Sequence, residues 1–251
     1  MKNLIFSILH RVRNFILLYN RNKYKNKISY YEGDFPEYNN VVMNNDEIIR
    51  KMIYKDNRWN YIKYIGQLMW NDMFKIPLFQ YRIPIIDNVC EDLYVKREEK
   101  CIKCEVPPKN RNEWIFLQIP NNLSTYEFSF DAIVKTINTE FQIAFNFESI
   151  GRRYRFNLVN NQSLHFDIVE NGIFHNELVN MPFSLNLNEL YHFELKVNEN
   201  RFQYLINGNV VMSVQIKVEK LLKGDIVLIL WNSDANPINV IYNNLKLKTI
   251  A

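Results

Sequence analysis

The chain has 251 residues, 47% hydrophobic and 23% charged, which are ordinary values for a globular protein of one large domain or one domain with an appendage. The three cysteines are odd in number and clustered in one part of the chain, which argues against a disulfide framework. The net charge of +4 is uneven: residues 1–27 contain seven basic and no acidic residues, so the remaining residues carry −3. A nucleic-acid binder would spread basic residues over its folded surface, so this asymmetry argues against nucleic acid and favours a local anionic partner such as a membrane surface.

Residues 2–27 are predicted to form a helix, because apolar residues recur at helical spacing between Leu4 and Tyr19. The apolar run at 4–9 is too short to span a bilayer, and no signal-peptide cleavage site follows it. Two interpretations remain: the helix lies in the interface of an anionic membrane, or it packs its apolar face on its own domain. The absence of acidic residues favours the membrane. The predicted location is cytoplasmic, and peripheral to the membrane in the first interpretation.

The next part of the chain is predicted to be irregular and then helical. Residues 28–44 show no regular spacing of apolar residues, whereas the spacing predicts helices over 45–54 and 58–74. Pro77 ends the second helix. Residues 1–84 are therefore predicted to be a helical, basic N-terminal region.

From about residue 85 the hydrophobic period changes to two, which predicts β-strands. The predicted strands are 92–96, 100–106, 114–119, 126–135, 141–147, 153–160, 163–169, 191–197, 201–206, a run after Asn207-Gly208, 225–231 and 239–248. Asn-Gly between alternating hydrophobics is a strong hairpin signal, because the favoured turn needs positive φ at both central residues. Many short strands without helices between them predict a mainly β fold, an antiparallel sandwich or barrel, over 85–251.

Alternation along four of these strands predicts one aromatic core face. Its members are Tyr126, Phe128, Phe130, Ala132, Val134, Phe141, Ile143, Phe145, Phe147, Tyr154, Phe156, Leu158, Leu164, Phe166 and Ile168. The opposite face is polar and carries Glu127, Ser129, Asp131, Gln142, Asn146, Arg153, Arg155, Asn157, His165 and Asp167. It can be a groove that binds sugar hydroxyls, or the solvated outer face of a sheet whose arginines and carboxylates pair across strands.

Cys101 and Cys104 form a C-x-x-C pair, which can serve redox chemistry or provide half of a zinc site. The flanking residues are predicted strands, and no histidine lies within twenty residues on either side. We therefore interpret these residues as reduced, partly buried thiols.

The segment 126–250 resembles the concanavalin A-like lectin and glucanase sandwiches, including laminin-G-like and family-16-hydrolase-like domains. YHFELKVNENRFQYLINGNVV is similar to their penultimate hairpin, GDIVLIL to a strand led by glycine, and VIYNNLKL to the closing strand. The resemblance implies a jelly roll with carbohydrate on one sheet. It also allows calcium in loops rich in Asp and Asn, such as 234–236.

Hydrolases of this kind place carboxylates in an E-x-D-x-x-E pattern on one strand. The nearest run here is HFDIVE at 165–170, in which His165 stands at the position of the first carboxylate. Two-carboxylate hydrolysis would then need an additional acid, and Glu127, Asp131 or Glu148 could supply one. The sequence disfavours an enzyme.

The sequence therefore predicts a jelly-roll sandwich that binds a glycan or glycoconjugate without catalysis, with no cofactor and no metal. The predicted carbohydrate-binding residues are Gln142, Asn146, Arg153, Arg155, His165, Asp167 and Trp231. Trp231 is included because an aromatic ring beside amides is a common sugar platform. A glycoside hydrolase and a structural scaffold remain the alternatives.

Overall fold

The computed structural model of the protein describes most of the chain. The described residues are 27–31, 33–58, 95–98, 100–106, 113–136, 140–149, 152–170, 173–217, 223–232 and 237–250. The predicted helix over 2–27, nearly all of the predicted helix over 58–74, Cys90 and the loop 234–236 lie outside these residues.

The described residues form one helix and sixteen strands. In chain order these are β1 (Ile28–Tyr30), β2 (Asn40–Met43), α1 (Asn45–Lys51), β3 (Ile53–Arg58), β4 (Val95–Arg97), β5 (Cys101–Val106), β6 (Glu113–Ile119), β7 (Thr125–Thr136), β8 (Glu140–Ser149), β9 (Arg152–Val159), β10 (Ser163–Glu170), β11 (Ile173–Pro182), β12 (Leu190–Asn198), β13 (Arg201–Ile206), β14 (Asn209–Ile216), β15 (Asp225–Asn232) and β16 (Ile238–Thr249). The predicted mainly β class is confirmed.

The strands form two antiparallel sheets that face each other across one core. The nine-stranded sheet has the order β1-β14-β13-β12-β7-β16-β5-β4, with β2 also paired to β16. The seven-stranded sheet has the order β11-β10-β9-β8-β15-β6-β3. The chain changes sheet after β2, β3, β5, β6, β7, β11, β14 and β15, whereas β8–β11 and β12–β14 each follow one another within one sheet.

Aromatic rings from both sheets fill the interlayer core. Phe130 stacks on Phe193 at 5.1 Å, and Phe145 meets Phe202 edge-on at 4.9 Å. The rings of Phe202 and Phe145 come from opposite sheets, so the contact joins the two layers. Burying each such side chain is worth roughly 1.5–3 kcal/mol, which fixes the register of the strands. Every predicted member of the core face is in this core except Phe147.

The predicted hairpin at Asn207-Gly208 is confirmed. Both residues have positive φ, 51° and 75°, as this turn requires. Six of the eight described non-glycine residues with positive φ are asparagines: Asn146, Asn160, Asn161, Asn188, Asn207 and Asn244. Asparagine tolerates the left-handed region better than most residues. Part of the large asparagine content therefore supplies turns in a chain with only six glycines.

The N-terminal part of the described chain is less helical than predicted. The helix α1 begins after Asn44, whose side chain accepts from the Glu47 backbone while Glu47 caps Asn44 in return. It ends at Lys51, and the predicted helical extension to residue 54 is wrong, because β3 instead pairs with β6 at the sheet edge. No described helix has the length and hydrophobicity needed to cross a membrane.

The prediction for residues 28–44 is wrong, and the strand over residues 173–182 was missed. The first segment, predicted to be irregular, contributes β1 and β2 to the nine-stranded sheet. The second was not predicted as a strand, yet forms β11. Its alternation is interrupted at Glu177, which has positive φ, so the period of two is lost in the sequence. The predicted boundary near residue 84 stays a prediction, because 59–94 lie outside the described residues.

Candidate functional site

The predicted polar face is divided between the two sheets. β7 belongs to the nine-stranded sheet, so Glu127, Ser129 and Asp131 lie on the outer side of that sheet. β8, β9 and β10 are neighbours in the seven-stranded sheet, and their outward side chains form the cluster that we call the polar floor. The polar floor consists of Glu140, Gln142, Arg153, Arg155, Asn157, His165 and Asp167. Each of them is less than one-tenth exposed.

Strand register arranges the polar floor in rows across the sheet. Gln142 lies opposite Asn157, which lies opposite His165, and His165 lies opposite Asn180 on the edge strand β11. In the next row, Arg155 lies opposite Asp167. Asn180 is exposed and Ser163, beside His165, is half-buried. The first row therefore runs from the buried middle of the sheet to solvent at its β11 edge.

Arg155 is at the centre of the hydrogen-bond network of the polar floor. Its Nε donates to Asp167 Oδ2 at 2.8 Å, and its NH2 donates to Asn176 Oδ1 at 3.0 Å. Its NH1 reaches both Gln142 Oε1 at 3.2 Å and Glu140 Oε2 at 3.4 Å. This guanidinium is thus committed to internal partners, and its role is to position the side chains around it.

Glu140 is held in the polar floor at an electrostatic cost. Burial raises the pKa of the Glu140 carboxyl above its ordinary value, while the Arg155 guanidinium and a hydrogen bond from Asn157 oppose that rise. Gln142 Nε2 also donates to the Glu140 carboxyl. Glu140 was absent from the predicted site because the predicted strand began one residue later. Its neighbour across the strands is Trp231, which is half-buried on β15.

The remainder of this face is apolar. Phe116, Ala144, Phe147, Val227 and Ile229 form a second buried cluster, separate from the interlayer core. The guanidinium of Arg153 lies 5.9 Å from the Phe147 ring centroid and 5.4 Å from that of Phe174, which places the cation against two aromatic faces. Aromatic rings therefore contact the Arg153 guanidinium, and Phe174 is shared with Arg155, whose guanidinium lies 5.6 Å from the same ring centroid.

The polar floor is bordered on its β11 side by a bulge in that strand. The register shifts opposite Phe166 and Ile168, and Glu177 takes a positive φ of 54°. This geometry directs the Glu177 backbone N–H to Asp167 Oδ1 at 2.6 Å. His175 is a buried residue of β11, and burial lowers its pKa to about 4.

Asn157 retains hydrogen-bonding capacity in the middle of the polar floor. Within the described part of the chain, its Oδ1 is buried without a hydrogen-bond partner. Beside it, His165 Nε2 lies 2.8 Å from Ser163 Oγ, so one ring nitrogen is occupied. A buried acceptor without a donor is costly, and native sites of this kind are completed by water or by a ligand. The alternation of the sequence put Asn157 on this face but could not show that its carbonyl is unsatisfied.

Five of the seven predicted site residues belong to the polar floor: Gln142, Arg153, Arg155, His165 and Asp167. Trp231 lies at its margin. The prediction that Asn146 shares this face is wrong. Asn146 has a φ of 46° in a bulge, and its Oδ1 accepts from Tyr126 OH at 3.3 Å. The same bulge turns Phe147 away from the interlayer core, which corrects its predicted position.

The acids considered for hydrolysis do not converge. Asp167 is fully buried and bound to Arg155. Glu127 is on the other sheet, where its Oε1 lies 2.6 Å from Lys248 Nζ. Glu148 pairs with Arg152 at 2.8 Å. Glu127 and Asp131 are separated from Asp167 by the interlayer core, so neither can share a cleft with it. Among the described residues, no group of three or more His, Cys, Asp or Glu is arranged to hold a metal ion.

The interpretation of the described cysteines as free thiols is confirmed. Cys101 is half-buried and Cys104 is fully buried on β5. Burial raises the pKa of the Cys104 thiol well above its ordinary value, which keeps it protonated and unreactive.

No protein-family model and no curated protein matches the sequence. The chain is similar to the carbohydrate-binding module CBM66 from Bacillus subtilis, with 15% identity, a TM-score of 0.46, and coverage of 59% of this chain and 86% of that chain. It is similar to sheep galectin-11, with 12% identity, a TM-score of 0.42, and coverage of 56% and 97%. It is similar to the laminarinase catalytic domain from Thermotoga maritima, with 9% identity, a TM-score of 0.46, and coverage of 64% and 82%. Each of these structures has a TM-score below 0.5 to this chain. The predicted antiparallel sandwich is confirmed by the two sheets of the described chain.

Proposed function

We propose that this protein is a non-catalytic module that binds a neutral glycan at the polar floor of its seven-stranded sheet. The observation that carries the proposal is the buried Oδ1 of Asn157, which lies between Gln142 and His165 and has no hydrogen-bond partner among the described residues. A sugar hydroxyl is both donor and acceptor, so it can donate to this carbonyl and accept from a neighbouring N–H. The row that contains Asn157 ends at the exposed Asn180, and the proposal has the ligand enter from this β11 edge.

The proposal assigns different tasks to the predicted site residues. Gln142, His165 and the added Asn157 contact the sugar. Arg155 and Asp167 position them, because their hydrogen bonds are directed to one another, to Asn176 and to the β11 backbone. Trp231, half-buried beside Glu140, supplies an aromatic surface at the margin.

A glycan array followed by calorimetry with the glycan that binds best tests this function. His165→Ala and Asn157→Ala should each weaken binding by about tenfold or more, because a site hydrogen bond is lost and its partner is left unpaired. Lys196→Ala, on the outer side of the nine-stranded sheet, is the matched control and should leave affinity unchanged. A wild-type protein that binds no glycan on the array, or variants that bind as well as wild type, would contradict the proposal.

A second candidate function is a structural or interaction scaffold. It is favoured by the saturation of Arg155, which makes hydrogen bonds to four side chains in the buried floor. In this account the buried polar groups of the polar floor favour one packing of the fold over others and bind no ligand. The array distinguishes the two functions, since a scaffold gives no glycan signal although the variants remain folded.

A further inference from the structure

The surroundings of Asn157 on the outer face of the seven-stranded sheet are buried in two directions. Asn157 itself is 1% exposed. Along its own row, Gln142 is followed by Ile229 on β15, which is fully buried. In the next row, Ala144 and Asp167 are fully buried as well. The polar floor is therefore closed towards β15 and towards the row of Ala144 and Asp167.

Exposure increases in the opposite directions, towards β11 and towards the start of β10. His165, next to Asn157 in the row, is 7% exposed, and Asn180 beyond it is exposed. In the neighbouring row, Ser163 is half-buried and its partner Pro182 is exposed. We call Ser163, Asn180 and Pro182 the open corner, because the polar floor meets solvent there.

The row that starts at the open corner is short and ends among apolar side chains. Asn180 and Asn157 are two strand spacings apart, about 10 Å. Gln142 is one spacing further, and beyond it the row continues with the buried, apolar Ile229 and Phe116. A polymer lying across the whole floor would have to leave over these buried residues. The end of a chain needs no such exit.

The buried amide of Asn157 calls for a hydrogen-bond donor. Asn157 donates to the Glu140 carboxyl, so its carbonyl is the group left for a ligand. No donor among the described residues reaches that Oδ1. The terminal unit of a glycan keeps a hydroxyl at the position that a linkage occupies in an interior unit, and a hydroxyl can donate. A chain end therefore offers a donor that the interior of the same chain lacks.

We propose that the polar floor recognises the terminal unit of a neutral glycan chain and not its interior. The terminal unit enters at the open corner and donates a hydroxyl to Asn157 Oδ1 beside His165, while the following units leave past Asn180 and Pro182. This inference rests on the proposed function, to which it adds the class of ligand, chain ends. It also gives the residues of one row separate tasks along the length of the bound chain.

Blocked oligosaccharides test the proposal on the wild-type protein. The probes are linear hexamers of β-1,3-linked glucose, β-1,4-linked glucose, β-1,4-linked mannose and β-1,4-linked N-acetylglucosamine, each free or methylated on the hydroxyls of one terminal unit. For the hexamer that binds best, blocking one of its two ends should weaken binding by about tenfold or more, because a donor is lost and the closed floor has no room for added methyl groups. Blocking the other end should change the affinity by less than twofold.

The outcomes separate this inference from the proposed function. A hexamer that binds equally well when either end is blocked would overturn terminal recognition and leave glycan binding intact. Absence of binding to these hexamers and to every glycan on the array would contradict the proposed function itself.

Variants along the row test the direction of the bound chain. Asn180→Ala should weaken binding of the trimer of the best series by about fivefold, and should leave the monosaccharide within twofold, because only the longer ligand reaches the open corner. Asn157→Ala should weaken both by about tenfold or more. Asn209→Ala, in the hairpin of the nine-stranded sheet, is the matched control and should change neither. Equal weakening of monosaccharide and trimer by Asn180→Ala would contradict the proposed direction.

Discussion

The outer faces of the two sheets carry similar charged side chains in different surroundings. On the seven-stranded sheet, Arg155 and Asp167 are 3% and 0% exposed in their side chains, and their atoms approach to 2.8 Å. On the nine-stranded sheet, Glu127 pairs with Lys248, and His192 Nδ1 lies 2.6 Å from Asp131 Oδ1 in a partly exposed row. Alternation along a strand predicts which side chains point outward. The energetic role of their charges depends on how deeply the side chains are buried. The buried pairs fix the side chains of the polar floor, whereas the partly exposed pairs add little to stability.

The largest expected effect is the loss of the buried arginine. Arg155→Met leaves the Asp167 carboxylate buried without its cation, which should reduce the free energy of unfolding by about 3–5 kcal/mol. Chemical denaturation measures this change. Adding Asp167→Asn to the same chain should recover part of the loss, since the unpaired charge is then removed. A loss below about 1 kcal/mol for the single variant would show that the pair is solvated and would remove the contrast between the faces.

Acid should weaken the seven-stranded sheet through His175. Burial lowers the pKa of His175 to about 4, below the value of 6.5 for a free histidine, so the unfolded chain binds the proton first. The stability from this residue is complete above pH 6.5, is lost as the pH falls towards 4, and amounts to about 3 kcal/mol. Unfolding of wild type and His175→Gln across this range should show a steeper acid loss for wild type. Parallel curves would contradict the buried, neutral histidine.

The stability cost of a glycine-to-alanine substitution can be compared at one position beside each sheet. A Cβ at Gly224, before β15, would come within 2.5 Å of the Phe147 carbonyl oxygen, so Gly224→Ala should cost about 1–3 kcal/mol. Gly208, in the hairpin of the nine-stranded sheet, has no atom within 4 Å of such a Cβ but has a φ of 75°. Gly208→Ala should therefore cost only about 1 kcal/mol. Thermal unfolding ranks the two variants, and the reverse order would contradict the close approach at Gly224.

The smallest effect is expected on the partly exposed row. Lys248→Ala removes the cation nearest to Glu127, but Lys196 remains 3.9 Å from the same carboxylate. The cost should be at most about 1 kcal/mol, and it should shrink further at high salt. Denaturation at low and high salt measures it. A loss equal to that of Arg155→Met would mean that the two outer faces do not differ energetically.

The sequence predicted the core better than the site. The alternation of aromatic residues found the core strands because burial of one face repeats every two residues. It could not assign β7 to a sheet, since residues with the same alternation occur in both layers. The bulge at Asn146 shifts the alternation by one residue, so Asn146 and Phe147 exchanged faces without a signal in the sequence. β11 was missed for a related reason, because Glu177 interrupts its period with a positive φ.

The predicted site residues illustrate the same limit at the level of chemistry. Gln142, Arg155 and His165 were placed on one face because they share an alternation. Which of them is saturated depends on contacts between strands that are distant in sequence, such as Arg155 with Asn176 on β11. Among the described residues no donor reaches the Asn157 carbonyl, and this too depends on the neighbouring strands and not on local sequence.

The structure of the protein bound to the glycan that gives the strongest array signal tests the central claim most directly. The proposed site predicts a sugar hydroxyl at hydrogen-bond distance, about 2.5–3.0 Å, from Asn157 Oδ1, with the same ring in contact with His165. A sugar bound elsewhere on the sandwich, with the Asn157 carbonyl still unpaired, would contradict it.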